Sequence, residues 1–467
     1  MTTKQAKQVQ KYWCGIPVAF TIWQSLTVFR LMLKNPSIFF TRIAGYGPMG
    51  VFWLGPQPVV CITDPVAAKH IIIAKNGVGL ARKFMGVFEL YFGQGVFSWE
   101  GEVWERARAL IDPNMTPDKL DAKKEVIHKA ILELVDRLIR DSDLPGGADV
   151  FDAASDTALK ASCSGALGIE LTNDQLKKLR QLLEKTITCM FRRMNSPVRA
   201  LFGGLSRKDK VVVQELQEFV RKIITDFERA YKEGPHQAPG VLGALMREYW
   251  TRRMSEEMVR SNFLQLLAAA YETTSGALTR LIHCLAVYPE LWSRPEMRAE
   301  ALGWDEEALS HTMLQRLPYA RSVVREVLRR FPPLVNMIRE VKNSEEADDL
   351  SVVLGDGSRY TIPQGAYLVV PASILHHNPN LWGNDAEEFK PWRHVERSYR
   401  PPGLSYCPFG AGGRMCPGQH LAQRMLIECF MALLARTTRV EIMSPLPREV
   451  SQLTSRLEGL KVRVAVR

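Results

Sequence analysis

The sequence has no pair of cysteines spaced as CxxC and no dense cysteine framework. Its eight cysteines are scattered through 467 residues, which argues against structural zinc and favours a reducing compartment. It also has no Gly/Ser linker, no low-complexity tract and no obvious repeat. The length alone would allow about three domains, yet nothing divides the chain, and a hydrophobic share of 46% is ample for one large core.

No apolar run at the N-terminus is long enough to span a membrane. A span needs about 20 predominantly apolar residues, whereas the run 16–29 is interrupted by proline, glutamine, serine and threonine. No small-residue cleavage site follows it, which argues against a secretory signal. We expect residues 1–30 to be a segment that associates with a membrane surface. The stretch 191–202 mixes apolar and basic residues, as either an interfacial segment or an ordinary amphipathic helix end would.

No block of like charge and no basic array interleaved with aromatic residues is present, although the formal net charge is +11. Scattered lysine and arginine therefore argue against a nucleic-acid partner. A basic face for an acidic protein or for an anionic membrane is favoured, and the charge pattern does not choose between these two partners.

Helical periodicity dominates the chain, and strand patterns are few. Residues 101–313 read as helices, and the longest uninterrupted helix is predicted from the N-cap Ser255 to Tyr288. Strands are predicted at 51–54, 59–62 and 367–370, with a hairpin turn at Asp356-Gly357. The predicted fold class is mainly α with a minor antiparallel β-sheet.

Residues 409–418 form the most informative segment, a glycine-rich loop that contains Cys416 and precedes a helical pattern. A thiolate near a helix N-terminus is favoured by the positive end of the macrodipole and by free backbone N–H groups. Such a thiolate suits an axial iron ligand, and Arg414 suits a haem propionate. A buried structural cysteine is the alternative, and it is the interpretation we give to the neighbouring Cys407.

The segment resembles the haem-binding signature of the cytochrome P450 superfamily, because Phe409, Gly412, Arg414, Cys416 and Gly418 fill its fixed positions. The resemblance extends over nearly the whole chain and implies a cytochrome P450 fold with a single haem domain over 31–467. It implies haem b (iron protoporphyrin IX) as cofactor, with Cys416 as the axial ligand of the iron and Phe409 and Arg414 beside it.

Three further motifs stand upstream of the loop in the order the family shows. Glu326 and Arg329 lie three apart on a predicted helix and are followed by two prolines, with Arg393 in a later Pro/Trp/Arg-rich stretch. An isolated pair at this spacing is usually a solvated ion pair. The resemblance instead implies a buried structural cluster that holds the scaffold of the haem loop. Trp104 and Arg108, four apart, resemble the motif that binds a haem propionate.

The last motif lies midway along the longest predicted helix, where Glu272 is followed by Thr273. This pair is unusual because glutamate is rarely buried and threonine is a poor helix former. The structural alternative is a threonine that bonds back to the carbonyl four residues earlier. The resemblance implies that Glu272 and Thr273 are catalytic and deliver protons during oxygen activation. Ala270 stands where the family usually has glycine.

The positions of other residues relative to these motifs imply further contacts. Arg339, shortly after the two prolines, resembles another propionate-binding arginine. Residues that correspond by position to pocket walls are apolar or weakly polar, which favours a lipophilic substrate such as a terpenoid, steroid, fatty acid or alkaloid. These residues are Phe84, Phe88, Phe97, Ala269, Tyr271, Val335, Met337 and Leu453.

The resemblance implies a haem-thiolate monooxygenase that inserts one oxygen atom from O2 into its substrate. The haem domain uses the whole chain, so electrons would come from NADPH through a separate reductase of the NADPH–cytochrome P450 type, with cytochrome b5 as a second candidate donor. We expect a monomer at the cytoplasmic face of the endoplasmic reticulum, or otherwise a cytoplasmic protein. The alternatives are a reductase-independent hydroperoxide isomerase or dehydratase of the same family, and a non-enzymatic haem-binding sensor.

Overall fold

The computed structural model describes residues 12–34, 36–74, 80–81, 85–194, 204–342, 349–396, 401–445, 447–451 and 454–467. Two residues predicted to line the pocket, Phe84 and Leu453, lie outside these ranges, as do residues 195–202 of the stretch 191–202. Of the helices described, none is long and apolar enough to cross a membrane.

The described residues form twenty α-helices, which we number in chain order. They are α1 (Ser25–Lys34), α2 (Pro36–Ala44), α3 (Pro65–Lys69), α4 (Gly86–Phe92), α5 (Gly101–Ile111), α6 (Pro117–Asp121), α7 (Lys124–Arg140), α8 (Val150–Ser162), α9 (Asn173–Met194), α10 (Arg207–Tyr231), α11 (Gly240–Trp250), α12 (Glu256–Val287), α13 (Glu290–Ser293), α14 (Pro295–Leu302), α15 (His311–Gln315), α16 (Pro318–Arg330), α17 (Ala372–His377), α18 (Pro379–Trp382), α19 (Arg393–Glu396) and α20 (Gln419–Arg436).

The described residues also form fourteen short strands. They are β1 (Tyr12–Trp13), β2 (Ile16–Pro17), β3 (Met49–Leu54), β4 (Gln57–Ile62), β5 (Leu80–Ala81), β6 (Ala148–Asp149), β7 (Asn336–Val341), β8 (Leu350–Val353), β9 (Arg359–Ile362), β10 (Tyr367–Pro371), β11 (Thr437–Ile442), β12 (Arg448–Ser451), β13 (Ser455–Glu458) and β14 (Lys461–Val466). The mainly helical fold class predicted from the sequence is confirmed.

These elements belong to two compact units, each built from segments that alternate along the chain. Unit 1 takes the described residues of 1–84, 334–388 and 399–415. Unit 2 takes those of 85–333, 389–398 and 416–467. All strands of the largest sheet belong to unit 1, and the long helices from α7 to α12, together with α20, belong to unit 2.

The largest sheet, in unit 1, is mixed rather than purely antiparallel as predicted. Its strand order is β3-β4-β10-β7-β5, and β10 runs parallel to β4, with Leu368 opposite Val60. Two strands so far apart in the sequence are joined by a long crossover instead of a tight turn, so the parallel direction is open to them. The predicted hairpin around Asp356-Gly357 is present as the antiparallel pair β8–β9.

The two faces of this sheet carry separate apolar clusters because successive strand residues point to opposite sides. Along β4, Val60 and Ile62 enter one cluster, whereas Val59 and Cys61 enter the other. The second cluster is aromatic, with the rings of Phe39 and Phe52 centred 5.0 Å apart at 88°. This edge-to-face arrangement adds stability beyond the buried area.

Helix α12 is the central element of unit 2 and packs against α8, α11, α16, α20, β11 and β13. The predicted N-cap is confirmed, because the Ser255 hydroxyl accepts the Met258 N–H at 3.2 Å. Glu256 and Glu257 in the first turn complement the helix dipole. The helix ends at Val287, two residues before Pro289, which cannot donate the next backbone hydrogen bond.

Candidate functional site

The central part of helix α12 is buried on every side except at one point. Between Ser261 and Ile282 all residues are buried apart from Ala269, Ala270 and Thr273, which are half-buried. These three residues lie on one face of a helix with 3.6 residues per turn. The predicted acid–threonine motif therefore sits at the one opening in this stretch of α12, and small side chains border the opening.

The hydroxyl of Thr273 donates to the carbonyl of Ala269 at 2.7 Å. Thr279 makes the same bond to the carbonyl of Ser275 at 2.8 Å, and Ser275 makes it to Tyr271. Bonding back to the preceding turn is therefore shared by several hydroxyls of α12. Thr273 differs from Ser275 and Thr279 in its exposure, because those two side chains are fully buried.

The carboxylate of Glu272 is buried and turned toward unit 2's C-terminal hairpin, β12–β13. Nη1 of Arg456 lies 3.0 Å from Oε1 and 3.0 Å from Oε2, and the hydroxyl of Thr454 donates to Oε1 at 2.9 Å. Burial raises the pKa of Glu272, although Arg456 and Thr454 act in the opposite direction. Neither partner was predicted from the sequence.

Tyr271, which is predicted to line the pocket, is buried and contacts α8. Its side chain is 1% exposed, and its ring lies edge-on to Phe151 of α8, with the centroids 6.4 Å apart. Because each helical residue is rotated by about 100° from the previous one, Tyr271 points to the side of α12 away from Ala269 and Thr273. It is a packing residue between α12 and α8.

Cys416, in unit 2, precedes helix α20 by three residues and differs from the other seven cysteines, all of which lie in the described part of the chain. It is half-buried, whereas Cys14 is exposed and the remaining six are buried. The backbone N–H of Gly418 donates to its sulfur, and Arg108 acts on it electrostatically. Both lower the pKa of the thiol, Gly418 by the donation predicted at the helix terminus, but burial outweighs them and the pKa is raised.

The other part of the glycine-rich loop belongs to unit 1. Gly412 and Arg414 bound a short 3-10 turn, and a Cβ on Gly412 would lie 3.0 Å from the carbonyl oxygen of Ile72. Gly412 also has φ +68°, a conformation that favours glycine. A Cβ on Gly410 would meet no atom within 4 Å, so there is open space at this position of the loop. In unit 2, the half-buried thiol of Cys416 near a helix N-terminus fits an axial ligand of haem iron.

The remaining predicted haem-binding residues are distributed over the two units. In unit 2, Trp104 and Arg108 lie on α5, with the guanidinium 6.0 Å from the indole centroid, and Arg108 pairs with Asp112 at 2.8 Å. In unit 1, Arg339 lies on β7 with 7% exposure and donates to the carbonyl of Ile338 at 2.9 Å. Arg414 and Phe409 are half-buried in the loop.

Unit 2 brings Glu326, Arg329 and Arg393 into one buried cluster. Arg329 donates to both carboxylate oxygens of Glu326, at 2.8 and 2.9 Å, and Nε of Arg393 donates at 3.0 Å. The ring nitrogen Nε2 of His394 lies 2.9 Å from the same carboxylate. The side chains of Glu326 and Arg329 are 0% exposed. Sequence reasoning missed His394, although it directly follows Arg393.

The Glu326 carboxylate is held in its charged form by these donors. Burial by itself raises the pKa of Glu326, but the hydrogen bonds and charges of Arg329 and His394 outweigh it and lower the pKa to about 2. Burial lowers the pKa of His394. The cluster joins α16 to the segment 389–396, where the backbone N–H of Lys390 also donates to Glu326 at 2.9 Å.

Of the predicted aromatic pocket residues of unit 2, Phe88 lies on α4 and Phe97 follows it. Phe88 and Phe97 pack edge to face with centroids 5.9 Å apart. Two polar side chains of α12 fix the backbone beside Phe97: Asn262 accepts the Val96 N–H at 2.9 Å, and Gln265 accepts the Phe97 N–H at 2.9 Å. In unit 1, Val335 is half-buried, and Met337 enters the apolar cluster on one face of the sheet.

Comparison with known proteins identifies the family. The family model described as Cytochrome P450 matches residues 17–456. Cytochrome P450 72A397 of Kalopanax septemlobus is 28% identical and covers 83% of this chain and 74% of its own length. The 11-oxo-beta-amyrin 30-oxidase of Medicago truncatula is 26% identical, over 85% of this chain and 76% of its own. Human Cytochrome P450 4Z1 is 24% identical, over 84% of this chain and 78% of its own length.

Solved structures share the fold. A zebrafish cytochrome P450 crystallised with progesterone superposes with a TM-score of 0.76 at 20% identity, covering 93% of this chain and 100% of that chain. CYP175A1 of Thermus thermophilus superposes with a TM-score of 0.70 at 20% identity, covering 96% of this chain and 99% of that chain. With a family match over nearly its whole length and relatives that are eukaryotic P450s, this chain belongs to the cytochrome P450 family of haem-thiolate monooxygenases.

Proposed function

We propose that this protein inserts one oxygen atom from O2 into a lipophilic small molecule, by hydroxylation or epoxidation, with haem b held by Cys416. Trp104, Arg108, Arg339, Phe409 and Arg414 would surround the cofactor. The observation that supports this proposal most is the opening in α12, because Ala269, Ala270 and Thr273 are the half-buried residues in a stretch that is otherwise buried.

When bound, the haem would supply the site at which oxygen is activated, and the thiolate would donate electron density to it. The residues at the opening would then transfer protons to the site of oxygen activation. The Thr273 hydroxyl is oriented by the Ala269 carbonyl, and its oxygen retains lone pairs that can accept a bond from a water molecule. Glu272, one residue earlier, is the acid through which protons would be exchanged. The small side chains of Ala269 and Ala270 would leave room for such a water.

The substrate we propose is a bulky lipophile of the terpenoid, steroid, fatty acid or alkaloid type. Phe88, Phe97 and Ala269 are apolar, and an apolar lining with few polar groups is usual for sites that bind such molecules. The Medicago truncatula relative is named for oxidising 11-oxo-beta-amyrin, which is consistent with this class.

Electrons would come from NADPH through a separate reductase, as is usual in the cytochrome P450 family to which the chain belongs. We place the protein at the cytoplasmic face of the endoplasmic reticulum membrane. Exposed apolar side chains at the N-terminal end of unit 1 support contact with a membrane surface: Trp23 is 94% exposed, Tyr12 61% and Ile22 42%.

Thr273→Ala is expected to uncouple oxygen consumption from product formation. The change removes the hydroxyl at the opening and leaves Cys416 untouched, so haem content and substrate binding should be retained. Product formed per NADPH consumed should fall by about tenfold or more, and hydrogen peroxide release should rise. The measurement is NADPH, product and peroxide in a mixture of the protein, a eukaryotic NADPH–P450 reductase and a substrate found by its shift of the haem Soret band.

The matched control is Thr279→Ala, which removes an identical back-bonded hydroxyl from a fully buried position of the same helix. Its coupling should equal that of the wild type. Equal coupling in both variants would contradict the role of Thr273. Turnover of a fatty-acid hydroperoxide without NADPH, with no label from ¹⁸O₂ in the product, would contradict the monooxygenase function itself.

A further inference from the structure

One face of α12 is shaped to receive the C-terminal hairpin of unit 2. Glu272, Gly276 and Arg280 lie four residues apart and therefore line up along the helix. A Cβ on Gly276 would lie 3.5 Å from the backbone oxygen of Ser455 and 3.6 Å from Cβ of Arg456. The absence of a larger side chain at this position lets β13 approach the helix closely.

The hairpin binds this face of α12 through ion pairs at the two ends of the face, Glu272 and Arg280, which have opposite charges. At one end Arg456 contacts the Glu272 carboxylate. At the other, Glu449 of β12 lies 3.7 Å from Arg280 and accepts the hydroxyl of Ser455 at 2.8 Å. The backbone N–H of Ser455 donates to the carbonyl of Pro333 at 2.7 Å. These contacts fix the hairpin in one position along α12.

The contacts to Glu272 fix its carboxylate as well as the hairpin. Arg456 reaches both oxygens from one nitrogen, and Thr454 adds a second donor to Oε1. The guanidinium of Arg456 is itself held, because it donates to Glu458 at 2.7 Å and lies 4.9 Å from the ring centroid of Phe151. A carboxylate with two such donors is confined to one rotamer.

A series of ion pairs connects the buried Glu272 to the surface of the protein. Glu272 is 4% exposed, Arg456 11% and Glu458 34%, and Glu458 pairs with Arg448, which is 78% exposed, at 3.1 Å. Positive and negative groups alternate along this series. Only its inner end, at Arg456, touches the carboxylate, so the inner and outer arginines can be tested against each other.

We propose that Arg456 and Thr454 are positioning residues for Glu272: together they fix the carboxylate of the acid that precedes Thr273, so that the C-terminal hairpin controls proton supply at the opening of α12. The inference rests on the proposed monooxygenase function and deepens it. This role of the hairpin could not be predicted from the sequence, because Thr454 and Arg456 are separated from Glu272 by 182 and 184 residues.

The charged groups that act on the Glu272 carboxyl come from the C-terminal hairpin. Arg456 and Glu458 of β13 are the charged neighbours. Tyr271 adjoins it on α12, and Arg180 and Glu184 of α9 act on Tyr271. Of these, only Arg456 donates hydrogen bonds to the carboxylate, so its loss should leave the acid harder to ionise.

The test compares Arg456→Met, Arg456→Lys and Arg448→Met. Methionine keeps much of the apolar stem of arginine but has no donor, and lysine restores a charge and one donor. Arg448→Met makes the same change at the exposed end of the series. Thr454→Val removes the second donor at nearly constant volume.

The first measurement does not depend on turnover. Infrared difference spectra of the ferric protein against pH should show a carboxyl band that Glu272→Gln removes. In Arg456→Met the Glu272 carboxyl, followed by this band, should protonate at higher pH than in the wild type. Arg456→Lys should return the midpoint of this titration toward the wild-type value. Arg448→Met should leave it unchanged. An unchanged titration in Arg456→Met would overturn the proposal.

The second measurement is product formed per NADPH consumed with the reductase. We expect a fall of roughly tenfold in Arg456→Met, a smaller fall in Thr454→Val, recovery in Arg456→Lys and no change in Arg448→Met. Coupling that stays normal in Arg456→Met while Thr273→Ala is uncoupled would overturn this inference and leave the proposed function standing. A wild type that forms no product with NADPH and O2 would instead contradict the proposed function.

Discussion

Cys416→Ala should abolish the strongly red-shifted Soret band that a thiolate-ligated haem gives after reduction in the presence of carbon monoxide. Loss should be complete, because alanine offers no atom that can bind the iron. Cys416 is half-buried, and its sulfur accepts a hydrogen bond from the Gly418 N–H, which orients it. The measurement is the carbon monoxide difference spectrum of purified protein, normalised to haem content.

The control for this prediction is Cys407→Ala, nine residues away. Its side chain is 4% exposed, its backbone N–H donates to His376 at 2.9 Å, and burial raises the pKa of its thiol to about 12. This is the environment of a structural cysteine, which is not reactive. The band should persist in Cys407→Ala. Its persistence in Cys416→Ala, or its disappearance in Cys407→Ala alone, would show that the ligand has been assigned to the wrong residue.

Features set by neighbouring residues could be predicted from the sequence. Ser255 and Pro289 bound α12 because a capping hydroxyl and a missing N–H act within one turn of the helix. The hairpin at Asp356-Gly357 is equally local. The burial of Glu326 and Arg329 was inferred from family resemblance, since three-residue spacing alone is typical of solvated pairs.

Features that depend on distant segments could not be predicted in this way. Arg456 meets Glu272 across 184 residues, and no local pattern identifies which arginine is the partner. The parallel pairing of β10 with β4 has the same origin. Tyr271 is predicted to line the pocket by its place in a motif, and its contact with Phe151 of α8 could not be predicted from the sequence. Chain topology, rather than local propensity, decides each of these cases.

Glu326→Ala and Arg329→Ala should each destabilise the fold by about 3–5 kcal/mol, because either change leaves an uncompensated charge in a fully buried site. We expect haem-free, aggregated or unstable protein, seen as a lower midpoint of chemical unfolding and a lower haem content. Glu102→Ala is the control, since Glu102 and Arg106 form an exposed pair on α5, at 84% and 80% exposure. Its unfolding midpoint should match the wild type.

The pH dependence of the same cluster distinguishes a buried charge from a packing defect. The pKa of Glu326 is lowered from 4.5 to about 2 in the fold, so its charge contributes stability that is fully present above about pH 4.5 and is lost as the pH falls toward 2. A shift of this size corresponds to about 3 kcal/mol. Glu326→Gln lacks this titration and keeps the shape of the side chain.

The difference in unfolding free energy between wild type and Glu326→Gln should therefore be greatest at neutral pH and should narrow as the pH falls below about 4.5. Burial also lowers the pKa of His394, so the neutral ring is favoured in the fold and the wild type loses further stability as this histidine protonates in acid. Because Glu326 raises the pKa of His394, this contribution differs between the two proteins, and comparing them in a His394→Gln background removes it. A gap between them that stays constant down to about pH 3 would mean that the Glu326 charge does not stabilise the fold.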